Sequence, residues 1–141
     1  MSLQDPTAKM SKSDPDPRSR ILVLDDPDTI VARLKAAVTD SGTEVRYDRE
    51  EKPGISNLIE IMSLFTERPI PAIEEEFGAG GYGAFKEAVA DAVIEGLAPV
   101  RVAFAQLDDT EVAQTVAEHA ARAKERAETL QQRVRKRVGL R

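Results

Sequence analysis

Two lysines three residues apart, near the start of the chain, are the side chains best suited to chemistry. They belong to the segment Lys9-Met10-Ser11-Lys12-Ser13, which lies among prolines, aspartates and serines. An ammonium group on a long, flexible stem acts as a steerable point charge, and small hydroxyl residues suit a mobile loop. We therefore predict a loop that neutralises developing charge on a triphosphate, with Lys9 and Lys12 as its active groups.

The composition limits what other chemistry the chain can perform. Its 141 residues include no cysteine and one histidine, so a disulfide, a thiolate metal site and a Cys/His nucleophile are excluded within this chain. No apolar run approaches the ~18 residues of a membrane span. Residues 1–16 carry neither a signal-peptide core nor an Arg-rich amphipathic pattern. We expect a cytoplasmic protein with no protein-bound metal and no membrane partner.

Charge is distributed unevenly along the chain. From Ala121 onward there are eight basic and two acidic residues, whereas the preceding part has 12 basic and 23 acidic residues. Such a cationic cluster could bind the phosphates of a polyanion and release its counterions. Alternatively, Lys and Arg complement the dipole at a helix C-terminus, and no aromatic residue is interleaved there for base stacking. We favour the second interpretation, and the residues leave the first one open.

Apolar residues at intervals of three and four predict a mostly α fold, with four or five helices around one core. Asp26 and Pro27 mark the first helix start as an N-cap and a first-turn proline. Helices are expected over 27–38, 55–65, 72–77 and 84–107, and from Asp109 toward the C-terminus. The last of these carries a narrow stripe of valine, leucine and alanine.

The stretches outside the predicted helices are less regular. Residues 1–20 have a loop composition, with three prolines. The apolar run Ile21–Leu24 could be a buried strand or the approach to a helix, because periodicity cannot decide at this length. Residues 43–54 are polar, and Val45 and Tyr47 alternate there as in a brief extended segment.

Other candidate sites are explained better by structure than by chemistry. A dinucleotide fingerprint needs a strand before its glycines, whereas a helix precedes the glycine cluster at 78–83, so we predict a loop between two helices. A helix N-terminus near Tyr82 could still present N–H groups to a phosphate. We interpret His119 as a surface residue, Asp25-Asp26 as a cap and Glu74–Glu76 as a solvated helix face.

Several segments together resemble the C-terminal portion of bacterial tryptophanyl-tRNA synthetases, which are class I aminoacyl-tRNA synthetases. The lysine motif reads KMSKS within LQDPTAKMSKSDP, like the ATP loop of that family. The other matching segments, in order, are LDDP at Leu24–Pro27, AVTDS at Ala37–Ser41, VRYD at Val45–Asp48, KPGISNLIEI at Lys52–Ile61, GGYGAFKE at Gly80–Glu87 and EGLAPVR at Glu95–Arg101. The resemblance covers nearly the whole chain.

The resemblance implies a domain organisation. Residues 1–27 would hold the KMSKS loop and the tail of a Rossmann-like catalytic domain. Residues 28–141 would form the C-terminal helical domain, which binds tRNA and its anticodon. The rest of the catalytic domain, with its HIGH-type motif, would lie upstream of the lysine loop and is missing from this chain.

The activity implied by the resemblance is tryptophan–tRNA ligation. ATP activates tryptophan with release of pyrophosphate, and tryptophan is then transferred to tRNA(Trp). Lys12 would stabilise the leaving pyrophosphate with help from Lys9, and the ATP-contacting loop would consist of Lys9, Met10, Ser11, Lys12 and Ser13. Mg²⁺ would arrive with the nucleotide. The expected partners are ATP, tRNA(Trp) and the missing N-terminal catalytic half, in a family that is homodimeric; the chain alone is expected to be inactive.

Two other functions stay open at the level of sequence. The chain could be a free-standing helical RNA-binding module, which its basic C-terminal region would support. It could also be a helical interaction protein in which the KMSKS motif is accidental. Salt-dependent RNA binding would favour the first, and alanine substitutions of Lys9 and Lys12 without any effect would favour the second.

Overall fold

Proline and short polar side chains mark where the helices of this chain begin. The computed structural model describes residues 1–139. A 3₁₀ turn at Pro17–Ser19 is followed by five α-helices: α1 Pro27–Lys35, α2 Pro53–Thr66, α3 Ile70–Phe77, α4 Gly81–Ala105 and α5 Asp109–Arg137. No strand occurs among residues 1–139, so the prediction of a mostly α fold is confirmed.

The helix starts have local causes that the sequence shows. Asp26 caps α1 by accepting the N–H of Thr29 at 2.9 Å. Pro27 and Pro53 occupy the first turns of α1 and α2, where a missing N–H removes no helical hydrogen bond. Asp108 caps α5, which begins at the predicted residue. Local chemistry alone is therefore enough to start three of the five helices.

The first compact unit, Met1–Val102, contains the hydrophobic core. Helices α1 to α4 and the start of the chain all contribute to it, and α2 packs against α3. The rings of Phe77 and Phe85 meet with their centroids 5.2 Å apart. The buried apolar residues are Leu3, Ile30, Leu34, Ala37, Val45, Ile55, Leu58, Ile59, Met62, Ile73, Phe85, Val89, Ala90 and Val93.

The second unit, from Ala103 onward, consists of the end of α4 and the whole of α5. Every residue of α5 is exposed, so within residues 1–139 the core is formed by the four helices α1 to α4, in agreement with the predicted four or five. The stripe on α5 is built from alanine, valine and one leucine, with no Phe, Tyr or Trp, and it offers little apolar area to bury. Acidic residues in its first turn and basic residues in its last turn complement the helix dipole.

Several predicted helix boundaries differ from the structure, and for two of them the structure shows the cause. α1 ends at Lys35 instead of residue 38, because Val38 leaves the helix and its N–H donates to the carbonyl of Leu3 at 2.8 Å. α4 begins at Gly81, which has a positive φ of 77°, so the predicted loop at 78–83 is shorter than expected. In both cases a contact or backbone conformation outside the periodic pattern decides the boundary.

Two apolar stretches also differ from expectation. Ile21–Leu24 is neither a strand nor the start of a helix, and the side chains of residues 22–24 are about half exposed. In the C-terminal half of α4, Val100 and Phe104 are exposed although the periodicity places them on the buried face. An apolar side chain is buried only where another element covers it, and helical spacing alone does not supply that element.

Candidate functional site

The KMSKS residues lie on one exposed segment, residues 4–18, which we call the lysine loop. Lys9, Ser11, Lys12 and Ser13 are exposed, and Met10 is partly buried. Within residues 1–139 no ion pair involves either lysine. Both ammonium groups are thus available to a ligand, although their role in catalysis stays a prediction.

The head of the lysine loop is a tight polar turn with one apolar attachment. The hydroxyl oxygens of Ser11 and Ser13 lie 3.0 Å apart, and the N–H of Asp14 donates to the carbonyl of Ser11 at 3.3 Å. Met10 lies in an apolar cleft of about 240 Å³, which Phe65 of α2 also lines. The thioether side chain of Met10 therefore attaches the head of the loop to the core by apolar contact.

The base of the lysine loop is built into the core. The N–H of Leu3 donates to the carbonyl of Ser19 at 2.8 Å, which joins the two ends of the loop. The carbonyl of Leu3 accepts the N–H of Val38 at 2.8 Å. Leu3 and Ser19 are each 1% exposed. The loop consequently starts and ends at fixed positions on the helical unit.

Asn57 of α2 binds the same base from the other side. Its Nδ2 donates to the carbonyls of Met1 and Ser2, both at 3.2 Å, and its Oδ1 accepts from the Met1 nitrogen at 2.8 Å. The role of Asn57 is not visible in the sequence pattern, because its partners are 55 and 56 positions away. The available signal was an amide between Ile55 and Leu58, on the buried side of an apolar helix.

Arginines hold the C-terminal side of the loop. Nη1 of Arg20 donates to the carbonyl of Asp14 at 2.7 Å, and Nη1 of Arg33 donates to the carbonyl of Arg20 at 3.0 Å. Arg33 also forms an ion pair with Asp25, and both side chains are largely buried. The predicted role of Asp25-Asp26 as a cap is thus correct for Asp26 only, since Asp25 pairs with an arginine eight residues away.

Glu75 and Glu76 are exposed, as predicted for a solvated helix face, whereas Glu74 is partly buried. Oε1 of Glu74 accepts the backbone N–H of Tyr47 at 2.6 Å, and Glu76 forms an ion pair with Arg68. The carboxylate of Glu74 therefore fixes the segment before α2, because that segment has no helical or strand partner for its N–H.

A second polar cluster joins three of the segments that carried the resemblance. The hydroxyl of Tyr82 donates to the carboxylate of Asp40 at 2.8 Å and accepts from Nζ of Lys52 at 2.9 Å. Burial raises the pKa of Asp40, but hydrogen bonds from Tyr82, Gly42 and Lys52 outweigh burial and leave this pKa below its ordinary value. The pKa of Lys52 is raised, chiefly by its hydrogen bond to Tyr82. This cluster fixes α2 and α4 to the segment that binds Leu3.

Other features of the described residues supply no further site. Within residues 1–139, no group of three His, Cys, Asp or Glu side chains is placed to hold a metal ion. None of the helices in that range combines the length and apolar character needed to cross a bilayer. His119 is exposed on α5, as predicted. Arg141, which the charge count included, lies outside the described residues.

Comparison with known proteins identifies the family. A family model of class I tRNA synthetases for tryptophan and tyrosine (W and Y) matches residues 1–98. The chain belongs to this family. Within the class I synthetases it corresponds to the C-terminal part of tryptophan–tRNA ligases. The ligase of Caldanaerobacter subterraneus subsp. tengcongensis is 44% identical over 140 residues, which are 99% of this chain and 43% of that relative.

Two further class I synthetases agree with this assignment. The tryptophan–tRNA ligase of Halalkalibacterium halodurans is 48% identical over 111 residues, covering 79% of this chain and 34% of the relative. The crystal structure of tryptophanyl-tRNA synthetase from Mycoplasma pneumoniae shares the fold, with a TM-score of 0.77 and 24% identity over 100% of this chain and 45% of that chain. The chain thus spans less than half the length of the relatives it matches.

Proposed function

We propose that this chain supplies the ATP loop and the C-terminal helical domain of a tryptophan–tRNA ligase. One observation carries the proposal: Lys9 and Lys12 are exposed on a loop whose two ends are bonded into the core of a chain that belongs to this family. In this proposal residues 1–27 complete the catalytic domain and 28–141 form the tRNA-binding domain. The reaction takes place in the cytoplasm, with ATP carrying its own Mg²⁺ and tRNA(Trp) as acceptor.

The first step needs cations that meet negative charge as it develops. A carboxylate oxygen of tryptophan attacks the α-phosphorus of ATP, the bond from this phosphorus to the bridging oxygen breaks, and pyrophosphate leaves as tryptophanyl-adenylate forms. Lys12 stabilises the charge on the departing pyrophosphate, and Lys9 assists. In the second step a hydroxyl of the terminal adenosine of tRNA(Trp) attacks the activated carbonyl and loses its proton, and AMP leaves.

The chain on its own lacks the other half of this chemistry. The proposal places the sites for adenine and for tryptophan in the part of the relatives that this chain does not span. Closure of the lysine loop over bound ATP then completes the catalytic arrangement. A loop with a fixed base and an exposed head is suited to such a movement, because the cations can swing while their attachment stays in place.

Tryptophan-dependent pyrophosphate exchange tests the proposal. The chain is assayed alone and mixed with the N-terminal part of the Caldanaerobacter ligase, which supplies the region that this chain does not match. We expect exchange in the mixture and none with the chain alone. In the mixture, Lys12→Ala should lower kcat by about 10²–10³-fold and Lys9→Ala by less, because each removes a cation that acts in the transition state.

Lys35→Ala is the matched control, because Lys35 is also an exposed lysine and forms only a surface ion pair with Glu87. Its exchange rate should equal that of the unsubstituted chain. Exchange by the chain alone would contradict the assignment of the missing sites to the other half. Unchanged kcat in both loop variants would instead remove the proposed role of Lys9 and Lys12.

RNA binding without ligase activity is the second candidate function. It is favoured by the part of α5 from Ala121 onward, where seven basic residues are exposed. These residues are Arg122, Lys124, Arg126, Arg133, Arg135, Lys136 and Arg137. Phosphate contacts from such a surface would make RNA affinity fall steeply with salt.

A further inference from the structure

We propose that Asn57 is a positioning residue for the lysine loop. It holds the N-terminal side of the loop's base, and thereby sets the point from which Lys9 and Lys12 reach the triphosphate. The chemical consequence rests on the function proposed above, whereas the anchoring itself can be tested without any assumption about function.

The amide of Asn57 uses donors and acceptor together. Nδ2 donates to the carbonyls of Met1 and Ser2, and Oδ1 accepts from the Met1 nitrogen. The nitrogen is the terminal amino group of Met1 and the two carbonyls belong to consecutive residues, so one side chain of α2 bonds three polar groups at Met1 and Ser2. An amide supplies two N–H donors and an acceptor oxygen, whereas a hydroxyl has one donor and aspartate would place lone pairs opposite the two carbonyls.

Burial makes these hydrogen bonds matter. Asn57 is 5% exposed and Ser2 is 3% exposed, so neither group can exchange its partner freely for water. A buried backbone carbonyl that loses its partner keeps the cost of its desolvation. The start of the chain is thus held at one place on α2, next to the apolar contacts of Leu3.

The path from Asn57 to the first catalytic lysine is short. Asn57 bonds the carbonyl of Ser2, the N–H of Ser2 donates to the carbonyl of Ala8 at 2.8 Å, and Ala8 directly precedes Lys9. The hydroxyl of Ser2 also accepts the N–H of Asp5 at 3.3 Å, which fixes the N-terminal side of the lysine loop. Two hydrogen bonds therefore link helix α2 to the residue before Lys9.

Asn57 fixes the base of the loop without restraining its head. Lys9 and Lys12 are exposed, and the hydrogen bonds of Asn57 reach only Met1 and Ser2. Loss of the Asn57 hydrogen bonds should leave both lysines unchanged as residues, but their ammonium groups should occupy many positions. Effective charge stabilisation at the triphosphate would fall, because preorganised cations are worth more than ones that must be ordered during the reaction.

Hydrogen–deuterium exchange on the whole chain tests the anchor. The variants are Asn57→Ala and Asn57→Asp. The matched control is Ser56→Ala, because Ser56 is equally buried on α2 but accepts the N–H of Asp48 at 2.8 Å. We expect the Asn57 variants to speed exchange in residues 1–9 about tenfold, with α4 unchanged. Ser56→Ala should speed exchange only near Asp48.

Unchanged exchange of residues 1–9 in folded Asn57 variants would overturn the anchor. If both variants unfold, deuterium exchange of the unsubstituted chain tests the anchor. The N–H groups of Ser2 and Leu3 must then exchange far more slowly than those of Ser11 and Ser13. Equal exchange at all four positions would overturn the inference.

Pyrophosphate exchange in the mixture described above tests the positioning role. Asn57→Asp should raise KM for ATP or lower kcat about tenfold and leave KM for tryptophan unchanged, and Ser56→Ala should change none of these. Loss of protection without a kinetic effect would overturn the positioning role. Absence of pyrophosphate exchange in the unsubstituted mixture would count against the proposed function. In that case hydrogen–deuterium exchange would still decide whether Asn57 anchors the loop.

Discussion

Gly54, the second residue of α2, lies where this helix passes closest to another backbone segment. A Cβ at this position would clash with the carbonyl oxygen of Val38 and would lie 2.9 Å from Cα of Thr39. Both are backbone atoms, which cannot turn aside. Glycine thus lets α2 approach the segment that also bonds Leu3, which gives the KPGISNL motif a structural reason.

Replacing Gly54 should therefore destabilise the fold. We expect Gly54→Ala to lower the free energy of unfolding by about 1–3 kcal/mol, because the backbone must shift to admit the methyl group. Gly83→Ala is the control, since Gly83 lies inside α4 with open space around it and should gain roughly 0.5–1 kcal/mol in helix propensity. Urea unfolding measures both. Equal effects of the two substitutions would contradict the close approach at Gly54.

Asp40 should contribute to the pH dependence of stability. Its pKa in the folded chain lies below the ordinary 3.8, so its contribution is present above this value and is lost as the pH falls through the folded pKa. Asp40→Asn should reduce the slope of the free energy of unfolding against pH in this acidic range. Urea unfolding between pH 2 and pH 7 measures the slope. An unaltered slope would show that Asp40 titrates alike in both states.

Lys52 and Tyr82 should act at the alkaline end. The hydrogen bond to Tyr82 raises the pKa of Lys52, and burial raises the pKa of Tyr82. A group whose pKa is higher in the folded chain stabilises the fold at pH values below its unfolded pKa, which is 10.5 for the lysine and 10.0 for the tyrosine. This stabilisation is lost as the pH rises through the folded pKa. Tyr82→Phe, which keeps the ring, should weaken the alkaline dependence in the same unfolding experiment, and a full dependence in this variant would contradict the cluster's role.

At the scale of elements, α4 shows how one helix can have two environments. Phe85 is fully buried and meets Phe77, whereas Phe104 is 56% exposed near the other end. Phe85→Ala should cost about 3–5 kcal/mol by leaving a cavity, whereas Phe104→Ala should stay within about 0.5 kcal/mol. Thermal and urea unfolding compare the two. Similar costs would mean that Phe104 also packs against another element in solution.

α5 depends on local interactions, since none of its residues is buried. The carboxylate of Asp108 accepts the N–H groups of Thr110 and Glu111 at 2.8 and 3.1 Å. Asp108→Ala should destabilise the first turn by about 1 kcal/mol, seen as faster deuterium exchange just after residue 110. Asp109→Ala, which removes a carboxylate without removing the cap, should have a smaller effect. Equal exchange in both variants would show that the cap contributes nothing beyond charge.

At the scale of the whole molecule, charge separates the acidic body from the basic end. If α5 binds tRNA(Trp), a variant that combines Arg133→Gln, Arg135→Gln and Lys136→Gln should show a weaker salt dependence of binding. The slope of log affinity against log salt should be smaller in magnitude by about 2, because each lost phosphate contact to single-stranded RNA contributes roughly 0.7. Arg18→Gln is the control, because Arg18 already pairs with Asp16. Filter binding over a range of salt measures the slopes. Affinity that is independent of salt would exclude α5 as a phosphate-binding surface.

Features with local causes can be predicted from the residues alone. Asp26 and Pro27 start α1, apolar spacing marks α2 and α4, and the predicted chemistry of the KMSKS motif rests on five adjacent residues. Such features need only interactions between near neighbours, which a single chain displays directly.

Long-range packing, in contrast, determines which apolar stripe is covered and which residues hold the lysine loop. The stripes of α4 and α5 are both apolar and regular, yet burial occurs in the first half of α4 and nowhere in α5. Asn57 contacts residues 55 and 56 positions away, and Tyr82 contacts Asp40 at a separation of 42. Contacts between residues so far apart leave no local periodicity, because they form only after packing has brought distant segments together.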